Sequence, residues 1–237
     1  MSNDGWSPQT MVEEFFVYGY LGVSKNDDEK VIITKCVSKA YTDMNRTLLT
    51  KKDVSFINNY RNQMVEIIAN NFSDVVSMRS KLYKLFFDIT LNDEEQEAVS
   101  LKGEVNRFLK KKTINDTNKR NDTCFYYGQA QKWINMTLKY LWLLGLVPDE
   151  SKLDIPIDSY IMQAASEQFD IKFPTDDKKN NNKYAIYNER KTMPWSKFSK
   201  KEYDLFQKDI KQQCGEKPLT WEHNAWINVA IIRNNSK

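Results

Sequence analysis

The chain has 237 residues, 35 basic and 32 acidic side chains, and a formal net charge of +3. Its length buries a good core in one domain, or in one domain with a small lobe, and a hydrophobic content of 41% excludes global disorder. The near-balanced charge excludes uniformly strong attraction to nucleic acid but allows local basic patches.

With only 7 glycines and 6 prolines, punctuation is sparse and long helices are expected. Ser7-Pro8 is a cap and first-turn pair for a helix through Val12, Phe15, Phe16 and Tyr20. A second helix is predicted from Asp28 to Leu49, where Val31, Ile32, Ile33, Cys36, Val37 and Ala40 recur at helical spacing. A third covers Asp53 to Asn70. Ser73-Asp74 opens a fourth through Leu85, and Asn92 opens a fifth, acidic at its start and lysine-rich at its end. Lys112–Asp122 reads as a polar loop. A long helix follows from Thr123 to Leu144 and stops at Gly145. Pro148–Pro156 connects it to a helix beginning at Asp158. The stretch 174–195 reads as irregular, with a short extended piece at Tyr184–Tyr187. Ser199-Lys-Lys-Glu202 is a capping box for a helix ending at Cys214-Gly215, and Pro218 starts the last helix. The expected fold is all-α: a compact multi-helix domain over 1–237, with eight or nine helices and little sheet.

Cys36, Cys124 and Cys214 are odd in number and far apart, which argues against a disulfide framework and against Cys-x-x-Cys metal or iron–sulfur chemistry. A single histidine, His223, excludes two-histidine zinc sites. No metal and no cofactor is expected. No stretch reaches the ~18 apolar residues of a membrane span. The N-terminus, with Asp4, Glu13 and Glu14, lacks the pattern of a signal peptide, so a reducing cytoplasm is the expected compartment. Positive charge gathers at Lys110–Arg120 and at Lys178–Lys183, segments without apolar periodicity that read as surface loops.

The helix from Thr123 is nearly all apolar or aromatic toward its end, yet it carries Lys132, Asn135 and Lys139. At 100° per residue, Lys139 lies about 20° and Asn135 about 60° from Lys132 around the axis, with Gly128 on the same stripe. Two readings stand. The stripe is a pocket wall, because a buried lysine must be paired or line a cavity. Or it is the solvent face of an amphipathic helix, with lysines reaching to water. Asp158, where the next helix begins, reads either as a simple cap or as a member of the same site. The polar stretch Lys39–Thr47, with Tyr41, Asn45 and Arg46, also reads either as a site or as a surface turn of helix.

Lys132 on one helix and Pro156-Ile157-Asp158 opening the next, 26 residues later, resemble the helix-hairpin-helix DNA glycosylase/lyases. Archaeal-type and bacterial 8-oxoguanine-glycosylase-like proteins, with a lengthened hairpin, are the most similar. The likeness spans 123–165, and the Leu-Pro-Gly-x-Gly hairpin signature is absent. The resemblance implies a helix-hairpin-helix glycosylase-like fold and DNA as partner. It makes Lys132 a nucleophile toward the sugar C1′ and Asp158 the stabiliser of the developing positive charge. Gly128, Gln129, Asn135, Lys139 and Trp195 would bind substrate, the flipped base being stacked in a pocket. Three functions follow as expectations: base excision through a lysine Schiff base, a nucleic-acid or nucleotide-binding module in bacterial defence that does not cut, and a helical protein–protein adaptor.

Overall fold

The computed structural model describes residues 11–12, 14–24, 26–46, 54–86, 127–175, 184–187 and 192–235. Among them lie a π-helical segment, Phe15–Tyr20, and seven α-helices: α1 (Glu29–Asn45), α2 (Val54–Ala69), α3 (Val75–Phe86), α4 (Tyr127–Leu143), α5 (Ser159–Phe169), α6 (Lys200–Cys214) and α7 (Pro218–Asn235). The sheet content described is one antiparallel pair of two-residue strands, β1 (Phe173–Pro174) and β2 (Tyr184–Ala185). The chain is therefore mostly helical. The expected start at Ser7-Pro8, the helix capped by Asn92 and the loops at 110–120 and 178–183 lie outside the described residues.

Local chemistry sets most boundaries. The Asp28 carboxylate accepts from the Val31 amide and starts α1. Among the described residues that helix runs to Asn45 with Arg46 as its cap, and the rest of the predicted span to Leu49 lies outside them. Asp74 accepts from the Ser77 amide at the start of α3. Gly145, at φ +75°, closes α4 through hydrogen bonds from its own amide to the Trp142 carbonyl and from the Leu146 amide to the Leu141 carbonyl. The predicted capping box of α6 is present in full.

α4 is the axis of the molecule. It packs along α1 and touches α3, α6 and the 3₁₀ turn Trp195–Lys197. Consequently it is buried all round rather than on one stripe, from Tyr127 through Leu141 apart from Met136. Trp133 is fully buried; its indole N–H donates to the Val37 carbonyl at 2.9 Å, and its ring lies against Tyr41 and Phe86. After Gly145 the chain turns. Leu153–Ile157, all buried, runs extended back along α4 and delivers Asp158 to the start of α5.

Candidate active site

On a helix buried all round, polar side chains must find partners within the protein. Lys132, Asn135 and Lys139 are 5%, 0% and 7% exposed, which removes the solvent-face reading of the stripe. Each has a different partner. Lys132 Nζ donates to Asp158 Oδ2 at 2.8 Å and sits 4.7 Å from the centre of the Trp195 ring. Lys139 pairs with the buried Glu222 of α7. Asn135 joins a network of neutral and charged groups described below.

Asp158 has two duties at once. Its Oδ1 accepts from the Tyr160 and Ile161 amides at 2.9 and 3.0 Å, capping α5, while Oδ2 takes Lys132 and the Trp226 indole N–H at 3.3 Å. Burial raises the proton affinity of this carboxyl. The Lys132 ammonium and the two amides outweigh that and hold it below the usual carboxylate range. The site thus contains an ionised carboxylate, an amine in direct contact with it, and two tryptophans.

The 26-residue separation is closed by side chains that dock the extended segment on α4. Asn135 Nδ2 donates to the Ile155 carbonyl at 3.3 Å, and Gln131 Nε2 reaches the Ile157 carbonyl at 3.5 Å. From the other side Gln207 of α6 accepts from the Ile155 amide at 3.1 Å and donates to its carbonyl at 2.7 Å. Tyr203 accepts from Asn135 at 2.6 Å, shares a hydrogen bond with Tyr83 and donates to Asp154 at 3.1 Å. Asp154 is neutralised by Arg79 and Lys211. Burial pushes the Tyr83 and Tyr203 hydroxyls up, so both keep their protons as donors.

Gly128 earns its place by shape. Its amide donates to the Phe198 carbonyl at 3.1 Å, and a Cβ there would lie 2.1 Å from the Trp195 carbonyl oxygen. The missing side chain lets the Trp195–Phe198 backbone touch α4, which sets the Trp195 ring beside Lys132. Gln129 is buried in the first turn of α4. Of the expected set, Lys132, Asp158 and Trp195 are therefore brought together. Asn135 supports the segment that carries Asp158, and Lys139 stands two turns away with its own partner.

Glu222 was not anticipated, and Trp226 stood only as one of several aromatics that read first as core. They lie one turn apart on α7, a helix with apolar residues around its whole circumference, so no stripe singles them out. A cavity of about 420 Å³ opens elsewhere, between the end of α5, β1 and α6, lined by Phe173 and Phe206 with Asp170 and Asp209; neither Lys132 nor Asp158 lines it. Among the described residues no cluster of His, Cys, Asp or Glu could hold a metal ion, and no helix is long and apolar enough to cross a membrane. No family model matches the sequence, and no curated protein or solved structure is similar to it.

Proposed function

We propose that this protein is a glycosylase/lyase-like enzyme that excises a damaged or modified base from DNA, with Lys132 as nucleophile and Asp158 as charge stabiliser. The observation that carries the reading is the 2.8 Å contact between Lys132 and Asp158. It joins a lysine and a carboxylate from two elements at the edge of the core, with Trp195 against the amine and Trp226 on the carboxylate. In the proposed reaction Lys132 first gives its ammonium proton to water. The neutral amine attacks C1′ as the N-glycosidic bond breaks, and the base leaves with its electron pair and takes up a proton. Loss of a further amine proton and opening of the C1′–O4′ bond, with O4′ protonated, then give the Schiff base. The positive charge that develops on the sugar is opposed by Asp158, which stays ionised well into the acid range.

Borohydride trapping tests the reading, because it reduces a lysine Schiff base to a stable covalent adduct. Wild-type protein should be trapped on duplex DNA holding an abasic or damaged site. Lys132→Gln should abolish the adduct, and Asp158→Asn should slow its formation by a factor on the order of 100 or more while DNA affinity changes little. An adduct that survives Lys132→Gln overturns the assignment.

A second reading has its own observation. Lys132 and Asp158 are 6% and 16% exposed in their side chains and already satisfy each other. That suits a fold that binds nucleic acid and uses the pair only to tie α4 to α5. Salt-dependent DNA binding without an adduct selects it.

A further inference from the structure

Beside the Lys132–Asp158 pair, α7 presents one more cation. Arg233 is half-buried, and its contacts are Gln163 Oε1 from Nε at 2.8 Å, the Ser159 hydroxyl from one terminal nitrogen at 3.5 Å, and from the other the Ser159 carbonyl at 3.2 Å and the Tyr187 hydroxyl at 3.3 Å. Its guanidinium carbon lies 4.3 Å from the centre of the Tyr160 ring, which in turn stacks on Trp226 at 5.1 Å. Among the described residues every one of these partners is neutral. The one carboxylate next door in sequence, Asp158, is bound to Lys132.

The charges do not balance. Lys132 and Asp158 cancel, which leaves the full charge of Arg233 at the first turn of α5. That is the positive end of α5, where an anion is favoured, while the guanidinium itself is held by the negative end of α7, in whose last turn it lies. A guanidinium fixed by neutral groups at such a place keeps its charge for an outside anion. The terminal nitrogen with a single long contact to the Ser159 hydroxyl keeps donors to offer, and that hydroxyl stands beside it. Planar donors beside a hydroxyl suit phosphate oxygens. We propose that Arg233 and Ser159 form a phosphate subsite that grips the nucleic-acid backbone next to the nucleotide held at Lys132. The proposal rests on the nucleic-acid reading above. It adds the residue that fixes the strand's register, since a nucleotide's phosphates flank its sugar and Ser159 directly follows Asp158.

The test uses the full chain and a duplex with one tetrahydrofuran abasic analogue. Affinity is measured over a series of salt concentrations, with neutral methylphosphonate placed at one neighbouring linkage at a time. Arg233→Gln should weaken binding about tenfold and lower the slope of log affinity against log salt by about one, as loss of one phosphate contact requires. In wild-type protein one methylphosphonate position should reproduce that loss, and on the same duplex Arg233→Gln should add nothing further. Should the glutamine variant unfold, Arg233→Met, which keeps the stem and removes the charge, and the methylphosphonate series on wild type decide. An unchanged slope in both, or no DNA binding by wild type, overturns the subsite. Trapping on an abasic duplex is run in parallel. An adduct with an Arg233-independent slope removes the subsite and keeps the glycosylase reading. An Arg233-dependent slope without an adduct keeps the subsite and removes the lyase step.

Discussion

Gly128 and Lys132 stand one turn apart on α4, and each is intelligible only through the 3₁₀ turn at Trp195. In an exposed helix, replacing glycine by alanine stabilises by about 1 kcal/mol, because the unfolded chain loses freedom. Here the sign reverses. The new Cβ would sit 2.1 Å from a backbone oxygen, and backbone cannot rotate away as a side-chain tip can. Gly128→Ala should therefore cost at least about 3 kcal/mol, the upper part of the range for overpacking. A fall in the urea midpoint measures it. Because the displaced segment carries Trp195, the yield of borohydride adduct should fall as well. An alanine variant as stable as wild type would show that the turn does not press on α4. Lys132 itself is held by a carboxylate and an aromatic face, and losing either partner leaves a buried charge exposed to its desolvation cost.

At the scale of elements, the site depends on a short extended strand that pairs with no sheet. Within Leu153–Ile157 the backbone of Ile155 and the carbonyl of Ile157 are met by side chains, chiefly Gln207, which imitates a neighbouring strand at Ile155. Gln207→Leu keeps the volume and removes both bonds. The Ile155 carbonyl retains Asn135, but the buried amide has no other partner among the described residues. The expected cost is about 1–3 kcal/mol, read by urea unfolding; an unaffected midpoint would mean that the segment does not need this clamp. Much of this arrangement was legible in the residues. Periodicity and caps located α1 to α7 to within a few residues, because Asp28, Ser199, Gly145 and Gly215 act over one turn of chain. A lysine on an apolar helix and an aspartate at a helix start marked Lys132 and Asp158 as candidates with ordinary explanations beside them, and only the resemblance to the glycosylase/lyases joined the two. What could not be read was the partner of each polar side chain. Asn135 and Lys139 sit on the same stripe as Lys132, and only tertiary packing sends one to Tyr203 and the other to Glu222. Trp226 and Glu222 come from a helix whose apolar residues surround it, so no periodicity marks the face that reaches the site.

For the molecule as a whole, three groups around the buried lysines make stability depend on pH, each with its own sign. His223 has a proton affinity below its ordinary 6.5, first through burial and then through the Lys139 charge. The unfolded chain therefore takes up this proton before the folded one. Its contribution is complete above pH 6.5 and is lost as pH falls toward the depressed folded value. Glu222 acts in the opposite sense. Burial raises it above its ordinary 4.5, and Lys139 recovers only part of the shift. The folded state binds this proton more readily, so stability rises as pH falls through the raised value and levels off below 4.5. Asp158 is depressed below its ordinary 3.8: burial raises it, but Lys132 and the amides of Ile161 and Tyr160 prevail. Its contribution is present above 3.8 and disappears as pH drops through the lower folded value. Urea midpoints from pH 8 to pH 3 should thus show a decline just below 6.5, a partial recovery above 4.5 and a steep loss below 3.8. His223→Gln should remove the first step, Glu222→Gln the second and Asp158→Asn much of the third. A Glu222→Gln profile that keeps the recovery would assign it to another group and break the link between the Lys139 pair and the acid behaviour of the fold.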